Sequence, residues 1–213
     1  MKLRELLNTI LHNYPDNRAE RADIKFRHNQ LAEQLRHSLR TIDCYHNLLK
    51  DYESQGSAGE GQWSILPWIA IYDPELTLSP QSGYYLVYLF DDQMQHAYLS
   101  LNHGWTYYRK HYNDPQVVVD TINHYWQKTL TPTLPTISSE PITLITTKKD
   151  NDARLGNELC NIFSITYAKD ALPDNEQLLT DLQAMLTLFK QLKAQLQTPI
   201  NDIDKNTKLI LQK

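Results

Sequence analysis

The sequence predicts an α+β fold: a mostly antiparallel mixed sheet flanked by N-terminal and C-terminal helices in a single domain. Three observations carry this. Apolar residues recur at helical spacing near both ends, short aromatic and β-branched runs divided by turn residues fill the middle, and no repeat or linker separates two cores. With 213 residues the chain is long enough to bury a sizeable core.

Leu3, Leu6, Leu7, Ile10 and Leu11 form one stripe of a short helix that Pro15 and Asp16 end. A second helical stretch runs from about His28 to Leu49, with a break expected around Arg40–Cys44. Gly56 to Gly61 reads as a flexible loop. Strands are expected at Trp63–Tyr72, Tyr84–Asp91 and Gln95–Leu101, the last two joined as a hairpin. Asp114 is the expected N-cap of a helix over Pro115–Lys128. After a Thr/Pro/Ser-rich connector come strands at Ile142–Thr147 and Ile162–Tyr167. Pro173-Asp174 opens a long helix through Leu178 to Leu192. The domain is expected to span 1–198, with 199–213 a polar tail or a linker to a further domain.

Composition excludes little. The net charge of −4 does not advertise a nucleic-acid binder, although a local basic face remains compatible with it. The 13 Tyr and 4 Trp suit sheets, interfaces and stacking platforms alike. Cys44 and Cys160 sit in no ligand-like spacing and fit a reducing cytoplasm. The first residues lack a signal-peptide core, and Pro67 interrupts the longest apolar run, so a cytoplasmic protein without membrane contact is expected.

No catalytic set emerges. Gly56 to Gly61 has the glycine spacing of a phosphate loop, but Gln62-Trp63 stands where Lys and Ser/Thr belong, and a strand follows instead of a helix. The acidic pairs Asp91-Asp92 and Asp150–Asp152 sit in apparent turns. His96, His103 and His111 lack the paired spacing of a zinc site, and no serine lies in a nucleophile elbow. Neither a metal nor a cofactor is expected.

One ordered series is specific. A glycine-rich loop and an aromatic, Trp63, precede Pro67-Trp68-Ile69-Ala70. A turn leads to Gly83-Tyr84-Tyr85-Leu86-Val87-Tyr88-Leu89-Phe90, and a further strand ends in Leu99-Ser100-Leu101-Asn102-His103-Gly104. Gly156-Asn157 leads into a strand followed by Leu172-Pro173-Asp174 and a helix. Over about residues 3–195 this resembles the N-terminal domain of McrB-type proteins, the modified-cytosine-dependent type IV restriction family.

The resemblance implies a binding domain, not an enzyme, that everts a modified cytosine such as 5-methylcytosine from double-stranded DNA into an aromatic pocket. A separate or fused GTPase and nuclease component would then act. Carried over by motif, Trp68 and Tyr85 are pocket walls, with Leu89 on the same strand face. Tyr85, Val87 and Leu89 share one face, and Tyr84, Leu86 and Tyr88 the other. Gly59, Glu60, Gly61 and Gln62 form the loop expected to insert into the DNA. Glu60 departs from the aromatic or amide residue expected at such a tip, and Gln62 is the alternative inserting residue. Phosphate contacts are expected from Lys25, Arg27, Arg36 and Arg40, and from Arg109 and Lys110. Two other classes stay open: a protein-interaction module that keeps the fold without DNA binding, and an enzyme acting directly on modified DNA.

Overall fold

The apolar stripe of the first helix, α1 (Leu3–Asn13), is buried at all five expected positions. The computed structural model describes residues 1–16, 18–77, 79, 82–144, 152–196 and 202–213. A six-residue helix, α2 (Arg18–Asp23), follows. The expected stretch from His28 to Leu49 divides into α3 (Gln30–His37), a 3-10 turn (Ser38–Thr41) and α4 (Tyr45–Leu48). The break falls where it was expected. Leu35, Leu39, Ile42 and Leu49 are all buried, and no single straight helix presents them to one core.

The described residues form a five-stranded sheet whose spatial order follows the chain, β1-β2-β3-β4-β5. These are β1 (Glu53–Ser57), β2 (Trp68–Tyr72), β3 (Tyr84–Phe90), β4 (His96–His103) and β5 (Asn161–Ala168), each pairing antiparallel with the next. β1 departs from the sequence reading, which makes Gly56 and Ser57 loop. Its sequence, Glu-Ser-Gln-Gly-Ser, has no apolar signal, and its pairing with β2 makes it a strand. The run expected at Trp63–Tyr72 is strand only from Trp68, because Pro67 offers no N–H to a ladder. β3 is buried along its whole length, as a central strand covered on both faces is.

Two further expectations change. Ile142–Leu144 joins no ladder; it runs beside the hairpin turn, where Asp92 N donates to Leu144 O at 2.8 Å. The rest of that expected strand, 145–147, lies outside the described residues. Two helices not foreseen, α5 (Trp105–His111) and α7 (Asp152–Leu159), flank the expected α6 (Pro115–Thr129). Gly156 of α7 abuts Trp105 so closely that a Cβ there would lie 2.5–2.6 Å from the Trp105 side chain. The caps hold as expected: Asp114 accepts from Val117 N at 3.5 Å, and Asp174 from Gln177 N at 2.9 Å at the start of α8 (Asn175–Gln195). Residues expected to trail as a tail form α9 (Ile203–Leu211), capped by Asp202, with Ile210 in the core and Tyr107 of α5 donating to Asp204 at 3.0 Å.

The two sheet faces bury different clusters. Ile69, Ile71, Leu86, Tyr88, Phe90, Leu99 and Leu101 face the main core with α1, α3, α6 and α8. Ala70, Tyr85, Val87, Leu89 and Tyr98 face the other way, into a smaller cluster with Leu66, Ile142 and Leu144. Among the described residues no helix is long and apolar enough to cross a membrane.

Candidate nucleic-acid interface

The smaller cluster forms the outer face, and the strand register places the sequence-predicted wall residues on it. Trp68 pairs with Leu89 and Leu89 with Tyr98, a row across three strands at one end of the sheet. Ala70 pairs with Val87 and Val87 with Ser100; Tyr85 pairs with Asn102 further along. Trp68, Tyr85 and Leu89 thus share a face, but they are not equally accessible. Trp68 is half-buried, whereas Tyr85 and Leu89 are 4% and 1% exposed.

Leu66, Ile142 and Leu144 cluster with them. The Ile142–Leu144 segment is tied down at three points: Tyr98 OH donates to Thr143 O at 3.0 Å, Asp92 N to Leu144 O at 2.8 Å, and Leu144 N to Glu158 Oε1 at 2.7 Å. Burial pushes the Tyr85 hydroxyl far above the ordinary phenol range, so it stays a protonated donor. Trp68 is thus partly accessible from solvent, whereas the ring of Tyr85 is not.

The glycine loop stands at the Trp68 end, directly after Ser57, the partner of Trp68. Its root is held firmly. Ser64 N donates to Ala58 O at 2.6 Å, and Gly59 N to Ser57 Oγ at 3.1 Å. The Tyr14 hydroxyl lies 3.1 Å from Ala58 O and 2.8 Å from Ser64 O, so one donor spans the neck. Trp63 plugs the base: its Nε1 donates to Ile24 O at 2.9 Å, and its ring meets those of Tyr14 and Phe26 edge-on at 5.1 and 5.2 Å. Glu60, Gly61 and Gln62 project from this root as an exposed tip.

Two glycines make that path possible. Gly59 has φ +120° and Gly61 φ +72°, and a Cβ on Gly59 would lie 2.1 Å from Gln62 O. Gly59→Ala is therefore expected to lower the unfolding free energy by about 1–3 kcal/mol and to displace the tip. Gly61→Ala keeps only the φ cost, since nothing lies within 4 Å of a Cβ there. Denaturant unfolding of both variants checks the order, and equal losses would mean that contact with Gln62 O does not constrain the loop.

The sequence-predicted cations do not converge. Lys25 and Arg27 are exposed on the segment that Trp63 anchors, beside the loop root. Arg36 is paired with Glu33 at 3.2 Å, and Arg40 with Glu53 at 2.9 Å. Arg109 and Lys110 are exposed on α5, beyond His103, at the opposite end of β4. The run of β4 from Tyr98, in the loop-end row, to His103 alone separates them from the loop end by roughly 17 Å. Arg21, which sequence reasoning passed over, reaches the loop end instead: its Nη2 donates to Asp92 O at 3.1 Å, and its guanidinium lies 5.9 Å from the Tyr14 ring centroid. Nothing in its local sequence singles it out.

The structure is an antiparallel meander with helices on one face and, on the other, a smaller apolar cluster in which the half-buried Trp68 stands beside a glycine loop. The chain belongs to the family described as the MrcB-like N-terminal domain, whose sequence model matches residues 9–194. Domains of that family are typically binding domains. No curated protein matches the chain. The match ends before α9.

Proposed function

We propose that this domain recognises modified DNA: it everts a modified cytosine onto the outer face at Trp68 and serves as the specificity component of a type IV restriction system. Its GTPase and nuclease would lie in a partner or a further domain. The observation that carries the reading is the half-exposed Trp68 on the face shared with Tyr85 and Leu89, beside a glycine loop with an exposed tip. Family membership supports it independently.

The energetics are adequate but not generous. Eversion costs a few kcal/mol, and stacking on an aromatic side chain returns about 1–3 kcal/mol per base. Stacking on Tyr85 as well requires Leu66, Ile142 and Leu144 to withdraw from its ring. A buried methyl adds about 0.8 kcal/mol, which is roughly fourfold. Larger selectivity needs shape exclusion of other bases.

The test is titration of the protein into a labelled duplex bearing one 5-methylcytosine and into its unmodified twin, read by anisotropy. Tighter binding to the methylated duplex is expected. Trp68→Ala should weaken it about 5–150-fold, the equivalent of one lost stacking interaction. Equal binding to both duplexes would point to another modification or to general DNA binding. No binding at low salt would favour the protein-interaction reading, to which the net charge of −4 lends its support.

A further inference from the structure

His96 opens β4 on the outer face, two residues from Tyr98 in the row that runs through Leu89 to Trp68. Its Nδ1 lies 2.8 Å from Asp91 Oδ2. The Asp91 side chain is 6% exposed and the His96 side chain 44%, so a buried carboxylate orients an imidazole that solvent can reach. Asp91 Oδ1 is occupied as well, accepting from Gln95 N at 2.8 Å. An ionised carboxylate only accepts, so the Nδ1 proton is fixed by geometry. Nε2 is left as the variable atom: a lone pair on the neutral ring, an N–H donor on the imidazolium.

Among the described residues, the charged groups on the elements around this turn are few. Asp91 and Asp92 belong to it, Arg21 donates to Asp92 O, Glu158 holds Leu144, which in turn accepts from Asp92 N, and Lys169 donates through its backbone to Gln95 O. An imidazolium here has its charge paired on the Asp91 side. Its other side reaches solvent, and by strand register His96 stands roughly 12 Å from Trp68 on the same sheet face.

We propose that His96, oriented by Asp91, contacts a DNA backbone phosphate, taking up a solvent proton at Nε2 as the phosphate binds. The phosphate oxygen accepts from Nε2–H while Asp91 accepts from Nδ1–H. The inference rests on the DNA-binding reading above and names one phosphate contact within it. A DNA complex formed this way takes up a proton, so affinity falls as pH rises.

The experiment measures affinity for the 5-methylcytosine duplex at pH 6.0 and 8.5, each at 50 and 200 mM salt, for wild type, His96→Gln, His96→Lys and Asp91→Asn. Wild type is expected to bind several-fold tighter at pH 6.0. His96→Gln keeps a donor for Asp91 but carries no charge, and should bind at the wild-type pH 8.5 level at both pH values. His96→Lys should bind tightly at both. Asp91→Asn should lose part of the pH 6.0 gain. One phosphate contact adds about 0.9 to the salt slope, so the wild-type loss at pH 6.0 between the two salt concentrations should exceed that of His96→Gln by roughly threefold. A His96→Gln protein with the wild-type pH profile and salt slope overturns the inference and leaves the DNA reading intact. A wild-type protein that binds neither duplex overturns both.

Discussion

Trp126→Ala is expected to lower the unfolding free energy by about 3–5 kcal/mol, the usual cost of truncating a buried aromatic to alanine. Trp126 is 1% exposed, on the core side of α6, and its Nε1 donates to Tyr84 OH at 2.9 Å. The Tyr84 ring meets it edge-on at 5.5 Å, and the Tyr125 ring lies 5.0 Å away. Truncation therefore leaves a cavity and takes a donor from a buried hydroxyl, two penalties that add. The melting temperature should fall by about 6–20 °C, at roughly 2–4 °C per kcal/mol for a domain of this size. Trp126→Phe keeps most of the ring and removes the donor, so it should cost distinctly less. Equal losses in the two variants would show that the hydrogen bond, not the packing, dominates.

Acid should destabilise the fold through His103. This residue ends β4 fully buried, and burial lowers its pKa from 6.5 to about 4. Its tautomer follows from Asn123, whose Nδ2 donates to Leu159 O at 2.6 Å, leaving Oδ1 to accept from His103 Nε2 at 2.9 Å. The proton is therefore on Nε2. His103 Nδ1 has no hydrogen-bond partner among the described residues, so a second proton there would be a buried, unpaired charge. Between pH 6.5 and 4 the unfolded chain binds this proton and the folded one does not, so stability falls as pH drops through that window. At 1.36 kcal/mol per pKa unit the loss approaches about 3 kcal/mol. Urea unfolding from pH 7.0 down to 4.5 measures it, with His103→Gln as the control that retains a donor for Asn123. The slope should flatten in the variant; an unchanged slope would place the acid sensitivity in the carboxylates instead.

The same structural features separate what local pattern announces from what it hides. Helical spacing in α1, the Asp114 and Asp174 caps and the alternation of β3 were legible because each depends on residues within a turn or a strand of one another. The shared face of Tyr85 and Leu89 follows from the two-residue period alone. β1 was not legible. Glu53–Ser57 has neither apolar alternation nor β-branched residues, and its ladder is formed with a strand that begins eleven residues later. Ile142–Leu144 misled in the opposite sense, being strand-like in composition yet used as apolar cover. α9 looked polar because of its residues only Ile210 is buried in the core and Ile203 packs against it, beside the buried Asn206 and Thr207.

For the site, sequence alone determined that Tyr85 and Leu89 share one strand face and that Gly59 and Gly61 lie in a loop, while Gly56 belongs to β1. Each of those properties is set by backbone geometry over a few residues. Only the tertiary structure decided that Trp68 is open while Tyr85 and Leu89 are covered, that Lys25 and Arg27 flank the loop while Arg109 and Lys110 stand at the far end, and that Asp91 orients His96 beside Trp68. These depend on contacts between distant segments, such as Leu144 against the sheet and Trp63 against Ile24, whose geometry no local periodicity encodes.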